Sequence, residues 1–157
     1  MQRVLILGRG GAGKSTLAYR LGSLTGLPVI ELDRLFWQRG GEATPRDQWA
    51  AIQHDLIRRE QWIIDGDLGP HDVLEPRLAL ADTVIVLNFS LLRCAWRSVR
   101  RSREAADYWR WVIAYRRRSV PILMEAIATH APAARVYLFR NPRAARAFVR
   151  AISPAQR

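Results

Sequence analysis

Eight residues constrain this chain more than any others. Gly8-Arg9-Gly10-Gly11-Ala12-Gly13-Lys14-Ser15 satisfies G-x-x-x-x-G-K-[ST], set between a short apolar run and an amphipathic segment. Before it, Val4-Leu5-Ile6-Leu7 reads as a buried strand of a parallel sheet. After it, Leu17, Ala18, Leu21 and Leu24 recur at helical spacing from Ser15 to about Leu24, and Gly26 and Pro28 mark the end. A glycine-rich turn between strand and helix lets successive amides face inward around phosphate oxygens at the helix N-terminus. In such a loop the lysine reaches the β and γ phosphates and the following hydroxyl ligates magnesium. Gly8, Gly10, Gly11, Ala12, Gly13, Lys14, Ser15 and Thr16 are therefore the candidate nucleotide-binding residues.

The rest of the chain repeats the alternation. Val29 to Leu32 reads as a second strand leading into Asp33, followed by a loop containing Gly40 and Gly41. Thr44 as cap, Pro45 in the first turn and Asp47 three residues after the cap predict a helix to about Arg59, with Trp49, Ile52 and Leu56 facing the core. Strands are expected at Trp62 to Asp65, Thr83 to Phe89 and Arg135 to Phe139, with a short helix between Asp72 and Leu80. A long helical stretch runs from Leu91 to about Thr129, broken near Ser102 to Asp107 and again before Pro121; Pro142 opens a final helix carrying Ala145, Phe148, Val149 and Ile152. Strands alternating with helices at this spacing predict one doubly wound α/β domain over residues 1–157, a five-stranded parallel sheet with helices on both faces.

Composition narrows the function classes. No apolar run approaches the roughly 18 residues a membrane helix needs, and the run after Arg3 stops at Gly8, so a cytoplasmic protein is expected. Cys94, the one cysteine, excludes an internal disulfide and a Cys-rich zinc site, and reads as a packed helical residue. His54, His71 and His130 show no ligand spacing. The formal net charge of +11 points to an anionic partner. Nine Arg between Arg93 and Arg118, against Glu104 and Asp107, carry +7 of it. Arg93, Arg97 and Arg101 recur every four residues and line one helical stripe. Trp109 and Trp111 interleave with Arg110, a mixture suited to stacking on bases. Guanine-specific switches need an Asn-Lys-x-Asp element, which a chain whose one lysine is Lys14 does not contain.

Three segments carry a family resemblance: the phosphate loop with Thr16-Leu17-Ala18, Leu27-Pro28-Val29-Ile30-Glu31-Leu32-Asp33-Arg34-Leu35-Phe36-Trp37, and Trp62-Ile63-Ile64-Asp65-Gly66-Asp67. Over roughly residues 3–101 the chain resembles the small nucleoside-monophosphate-kinase-like P-loop proteins, most closely the bacterial adenylate-kinase-related or DNA topology modulation proteins. The resemblance implies sheet order 2-3-1-4-5, Mg-ATP as donor and a lid near 97–110 whose Arg97 and Arg101 close on the transferred phosphoryl group. It also implies phosphoryl transfer to a nucleotide or other small hydroxyl-bearing acceptor. Asp33, at the end of the second strand, is expected to hold a magnesium-bound water or orient the acceptor hydroxyl. Arg34, Trp37, Asp65, Gly66 and Arg77 are expected on the acceptor side, with Trp37 stacking on a planar acceptor. Asp67 stands where the resemblance leads one to expect Asn, and Asn88 where it leads one to expect Asp, which leaves the metal acid to Asp33. Beyond the fifth strand, Arg140 is placed to stack on the adenine, and Asn141 to cap the last helix. The alternative reading is an ATP-binding, nucleic-acid-associated module with slow ATPase activity, contacting backbone phosphates through Arg93 to Arg118.

Overall fold

The computed structural model describes residues 1–38, 41–66, 68, 73–90, 94 and 119–152. Within them, five parallel strands form one sheet: β1 (Arg3–Gly8), β2 (Val29–Glu31), β3 (Trp62–Asp65), β4 (Thr83–Leu87) and β5 (Arg135–Phe139). Their order is β2-β3-β1-β4-β5, as expected. The helices are α1 (Lys14–Thr25), α2 (Leu32–Phe36), α3 (Arg46–Ile57), α4 (Glu75–Leu80), α5 over residues 119–130 and α6 (Pro142–Ile152).

The strands bury both faces because their side chains alternate and each face has its own helical cover. Leu5, Leu7, Ile64, Val84 and Val86 point to one side, packed against Leu32 and Phe36 of α2, Trp49 and Leu56 of α3, Leu78 of α4 and Leu123 and Ile127 of α5. Val4, Ile6, Ile63, Ile85 and Leu87 point to the other, where Leu17, Ala18 and Leu21 of α1 meet Ala145 and Val149 of α6. Trp49, Trp62 and Cys94 are buried, as a packing role requires. The expected core positions of α6 hold as well, and its start is capped by Asn141, whose Oδ1 accepts the Ala144 N–H at 2.9 Å.

Three local expectations are corrected. The second strand ends at Glu31, its last ladder partner being Asp65, and Leu32–Phe36 form a short helix in place of a loop. Asp33 thus lies in the first turn of α2 and not at the end of β2, a position where helix geometry favours an acid. Thr44 does not cap α3: the cap position is Pro45, while the Thr44 hydroxyl donates to the Phe36 carbonyl. That bond, the Thr44 N–H to the same carbonyl and a Trp37–Ala43 bridge close the segment after α2 into a hairpin-like turn.

Arg77 is the third. Its side chain is fully buried, with Nη1 donating to Gln53 Oε1 at 2.6 Å, so it ties α4 to α3 in the interior instead of facing an acceptor in solvent. Truncation removes a charged donor, leaves the buried Gln53 oxygen without it and opens a cavity. Arg77→Ala is expected to lower stability by about 3 kcal/mol, read by urea denaturation; an unchanged midpoint would remove this residue from the α3–α4 joint.

The segments expected from Leu91 to Arg118, including Arg93, Trp96, Arg97, Arg101, Trp109, Arg110, Trp111 and the lid near 97–110, lie outside the described residues apart from Cys94. So do Gly40, Asp67, His71 and Asp72. No helix among the described residues is long and apolar enough to cross a membrane.

Candidate active site

The phosphate loop occupies the turn from β1 to α1, at the carboxyl edge of the central strand of the sheet, where parallel α/β folds bind ligands. Gly11 and Gly13 take φ of 75° and 94°, a region unfavourable to other residues, and this backbone wraps the loop around the start of α1. No side chain caps α1 and its first turn contains no acid, which leaves the amides at this end to an anion. Ala12 is buried and its N–H donates to the Arg9 carbonyl at 3.2 Å. Arg9 is itself enclosed, at 1% exposure. Sequence pattern did not single it out, because the motif leaves that position open.

Asp65 ends β3 between Glu31 of β2 and Ile6 of β1 in the ladder. It is 5% exposed, with the Ser15 hydroxyl and the Lys14 ammonium both near enough to act on its carboxyl. Burial pushes the carboxyl up from the ordinary aspartate range. Lys14 and the Ser15 hydrogen bond pull it down, and the charges of Asp33 and Glu31 add to the rise. Its Oδ1 is buried with no hydrogen-bond partner.

The structure therefore brings Lys14, Ser15 and Asp65 together, with Asp33 and Glu31 near enough to be felt. The family resemblance puts Asp65 on the acceptor side and the metal acid at Asp33. What it could not supply was the register that sets the end of β3 beside the start of α1. Gly66 then turns α2 against this point: with φ 153°, any Cβ there would come 2.7 Å from Leu32 Cβ. Asp33, one residue after Leu32, lies in the first turn of α2, near enough for its charge to act on Asp65.

Glu31 is occupied. It accepts a hydrogen bond from the Tyr19 hydroxyl and forms an ion pair with Arg34 Nε at 3.0 Å, which fixes the acid at the strand end. The same contact raises the Tyr19 hydroxyl pKa, the carboxylate disfavouring a phenolate beside it. Sequence reasoning missed Tyr19, which lies on the outer face of α1 with no pattern to distinguish it. Trp37 is 43% exposed at the end of α2, its N–H on the Asp33 carbonyl, and its ring meets Phe36 edge-on. Asn88 follows β4 directly after Leu87, the ladder partner of Gly8; its Oδ1 is buried without a partner. Arg140 is exposed just beyond β5.

Three side-chain polar groups suit a magnesium-bound triphosphate: the Lys14 ammonium, the Ser15 hydroxyl and the orphaned Asp65 oxygen. Among the described residues no set of three His, Cys, Asp or Glu gathers into a dedicated metal cage.

No family model and no curated protein sequence matches the chain. Solved structures do. A shikimate kinase from Acinetobacter baumannii in complex with shikimate aligns at TM-score 0.66 and 17% identity, over 97% of this chain and 90% of its own. Shikimate kinase from Bacteroides thetaiotaomicron aligns at TM-score 0.59 and 19% identity, over 96% and 95%. A gluconokinase from Sinorhizobium meliloti 1021 aligns at TM-score 0.55 and 18% identity, over 96% and 89%. At these identities the likeness establishes a shared fold, one that covers nearly the whole of each chain.

Proposed function

We propose that this chain is an ATP-dependent phosphotransferase that moves the γ-phosphoryl group to a hydroxyl of a small-molecule acceptor. The observation that carries the reading is the buried Asp65 set beside Ser15 and Lys14 at a phosphate loop. A carboxylate kept in the interior at a net disadvantage is retained where a bound cationic group offsets it. The folds of shikimate kinase and gluconokinase support the small-molecule class.

The loop amides and Lys14 bind the β and γ phosphates and spread the charge that develops during transfer. Ser15 and Asp65 would hold magnesium, which would supply positive charge to offset that of the phosphates when bound. Asp33, in the first turn of α2, would accept the proton of the attacking hydroxyl. Gly66 leaves room for Leu32 of α2 beside the end of β3, and Arg34 and Trp37, next to Asp33 on and just after α2, would line the acceptor side. Arg97 and Arg101 are assigned to the transferred group and Arg140 to the adenine. The Asp65-Gly66 step and the phosphate-loop continuation favour the adenylate-kinase-related branch of this class.

The test is ADP formation from Mg-ATP over a panel of nucleoside monophosphates, nucleosides, polyols and hydroxy acids. Acceptor-dependent turnover that falls about a hundredfold or more in Asp33→Asn is expected. ADP formation indifferent to every acceptor would overturn the reading.

A further inference from the structure

After Glu125 the chain contains no acid, yet it carries six arginines: Arg135, Arg140, Arg143, Arg146, Arg150 and Arg157. Three of them lie on α6 at Arg143, Arg146 and Arg150, spaced so that they fall within one narrow stripe of the helix. All three are exposed, and among the described residues no acid forms an ion pair with any of them. The opposite face of α6 is spent on the core through Ala145, Phe148, Val149 and Ile152. Exposed Arg135 and Arg140 at the two ends of the edge strand β5, against which α6 packs, extend the same sign.

Like charges set side by side on one helix repel, and an acid at any exposed position of α6 would relieve them. Ala144 and Ala147 show that small residues, not acids, fill the helix between them. We propose that the outer face of α6 is a docking surface for the phosphodiester backbone of a nucleic acid. Guanidinium groups match phosphate oxygens bidentately, and these are all arginines. Arg143 to Arg150 spans about 10 Å of helix, the axial length of about three phosphates along one strand of a duplex. A lipid surface is disfavoured because the apolar residues of α6 face the sheet, which leaves no wedge to enter a bilayer. The contacts proposed are to the phosphodiester backbone, which carries no sequence information, so binding through this stripe is expected to be independent of sequence. The proposal does not depend on phosphotransfer, since none of the three residues belongs to the site at the phosphate loop.

The experiment is anisotropy titration of labelled duplex DNA and single-stranded RNA at increasing salt, with the parent chain and with Arg143→Gln/Arg146→Gln/Arg150→Gln together. The parent is expected to bind with an affinity that falls steeply as salt rises. The triple variant is expected to bind about tenfold or more weakly, with a log–log salt slope shallower by about 2 to 3. Its thermal melt is expected to match the parent, because the exchanged side chains are exposed and unpartnered, which separates lost binding from lost folding. Absence of binding by the parent, or an unchanged affinity and slope in the folded triple variant, would overturn the proposal. Binding to phosphatidylserine vesicles without binding to either nucleic acid would overturn it equally.

Discussion

Lys14→Ala is expected to reduce acceptor-dependent ADP formation by at least about a thousandfold while the melting temperature stays near that of the parent. The chain has no other lysine, and the ammonium is the point charge that a phosphate loop directs at the β and γ oxygens. The fold has little stake in the side chain. Lys14 is the first residue of α1, outside both core clusters, and alanine is a good helix former there. The variant also tests the electrostatics of the site. Lys14 is the leading influence that lowers the Asp65 carboxyl, so its loss drives that carboxyl further above the ordinary range. ADP formation and a melting curve on the same preparation decide the matter. Undiminished turnover in a folded Lys14→Ala chain would remove phosphoryl transfer from this loop.

Much of this site was readable before any coordinates, and the reasons differ residue by residue. The phosphate loop is legible because its chemistry is backbone chemistry: glycines at fixed offsets report a conformation directly. The sheet is legible because Val4 to Leu7, Trp62 to Ile64 and Thr83 to Leu87 are continuous apolar runs, which only strands buried on both faces tolerate. Asp65 was visible as a strand-terminal acid, yet its role depends on register. Pairing with Ile6 and Glu31 sets it beside Ser15, and no local spacing encodes a ladder between strands separated by a helix and a hairpin-like turn. Asp33 was displaced by the same cause. Where β3 ends, β2 loses its partner, and the chain coils into α2 one residue before Asp33. Arg77 misled because an arginine near a predicted site reads as an anion ligand, whereas in the fold it is buried with its Nη1 on Gln53 of α3. Arg9 and Tyr19 escaped altogether, since neither the motif nor the helical period distinguishes them from their neighbours.

Asp65→Asn should separate stability from activity in opposite directions. The Asp65 carboxyl sits above its ordinary value, and burial is the largest cause, outweighing Lys14 and the Ser15 hydrogen bond. A carboxyl whose folded pKa is raised contributes stability that is fully present below the unfolded pKa. That contribution is lost as pH rises through the folded value, so at neutral pH the ionised group weighs against folding. Asparagine keeps an oxygen for the Ser15 hydroxyl and removes the charge. The variant is therefore expected to be more stable than the parent at neutral pH by on the order of 1 kcal/mol, or roughly 3 °C in Tm. The advantage should vanish at acid pH, where the parent carboxyl is protonated. Under the proposed function phosphotransfer should fall about a hundredfold or more, because Asp65 is there the acid that would hold magnesium with Ser15. Saturating Mg-ATP should then raise the Tm of the parent more than that of the variant, since a ligand stabilises in proportion to how well the folded state binds it. Melting curves across pH, with and without Mg-ATP, together with ADP formation, test every part of this. A variant less stable than the parent at neutral pH would show that the Lys14 and Ser15 contacts outweigh burial. Parental turnover in Asp65→Asn would move the metal acid elsewhere, with Asp33 the first residue to replace next.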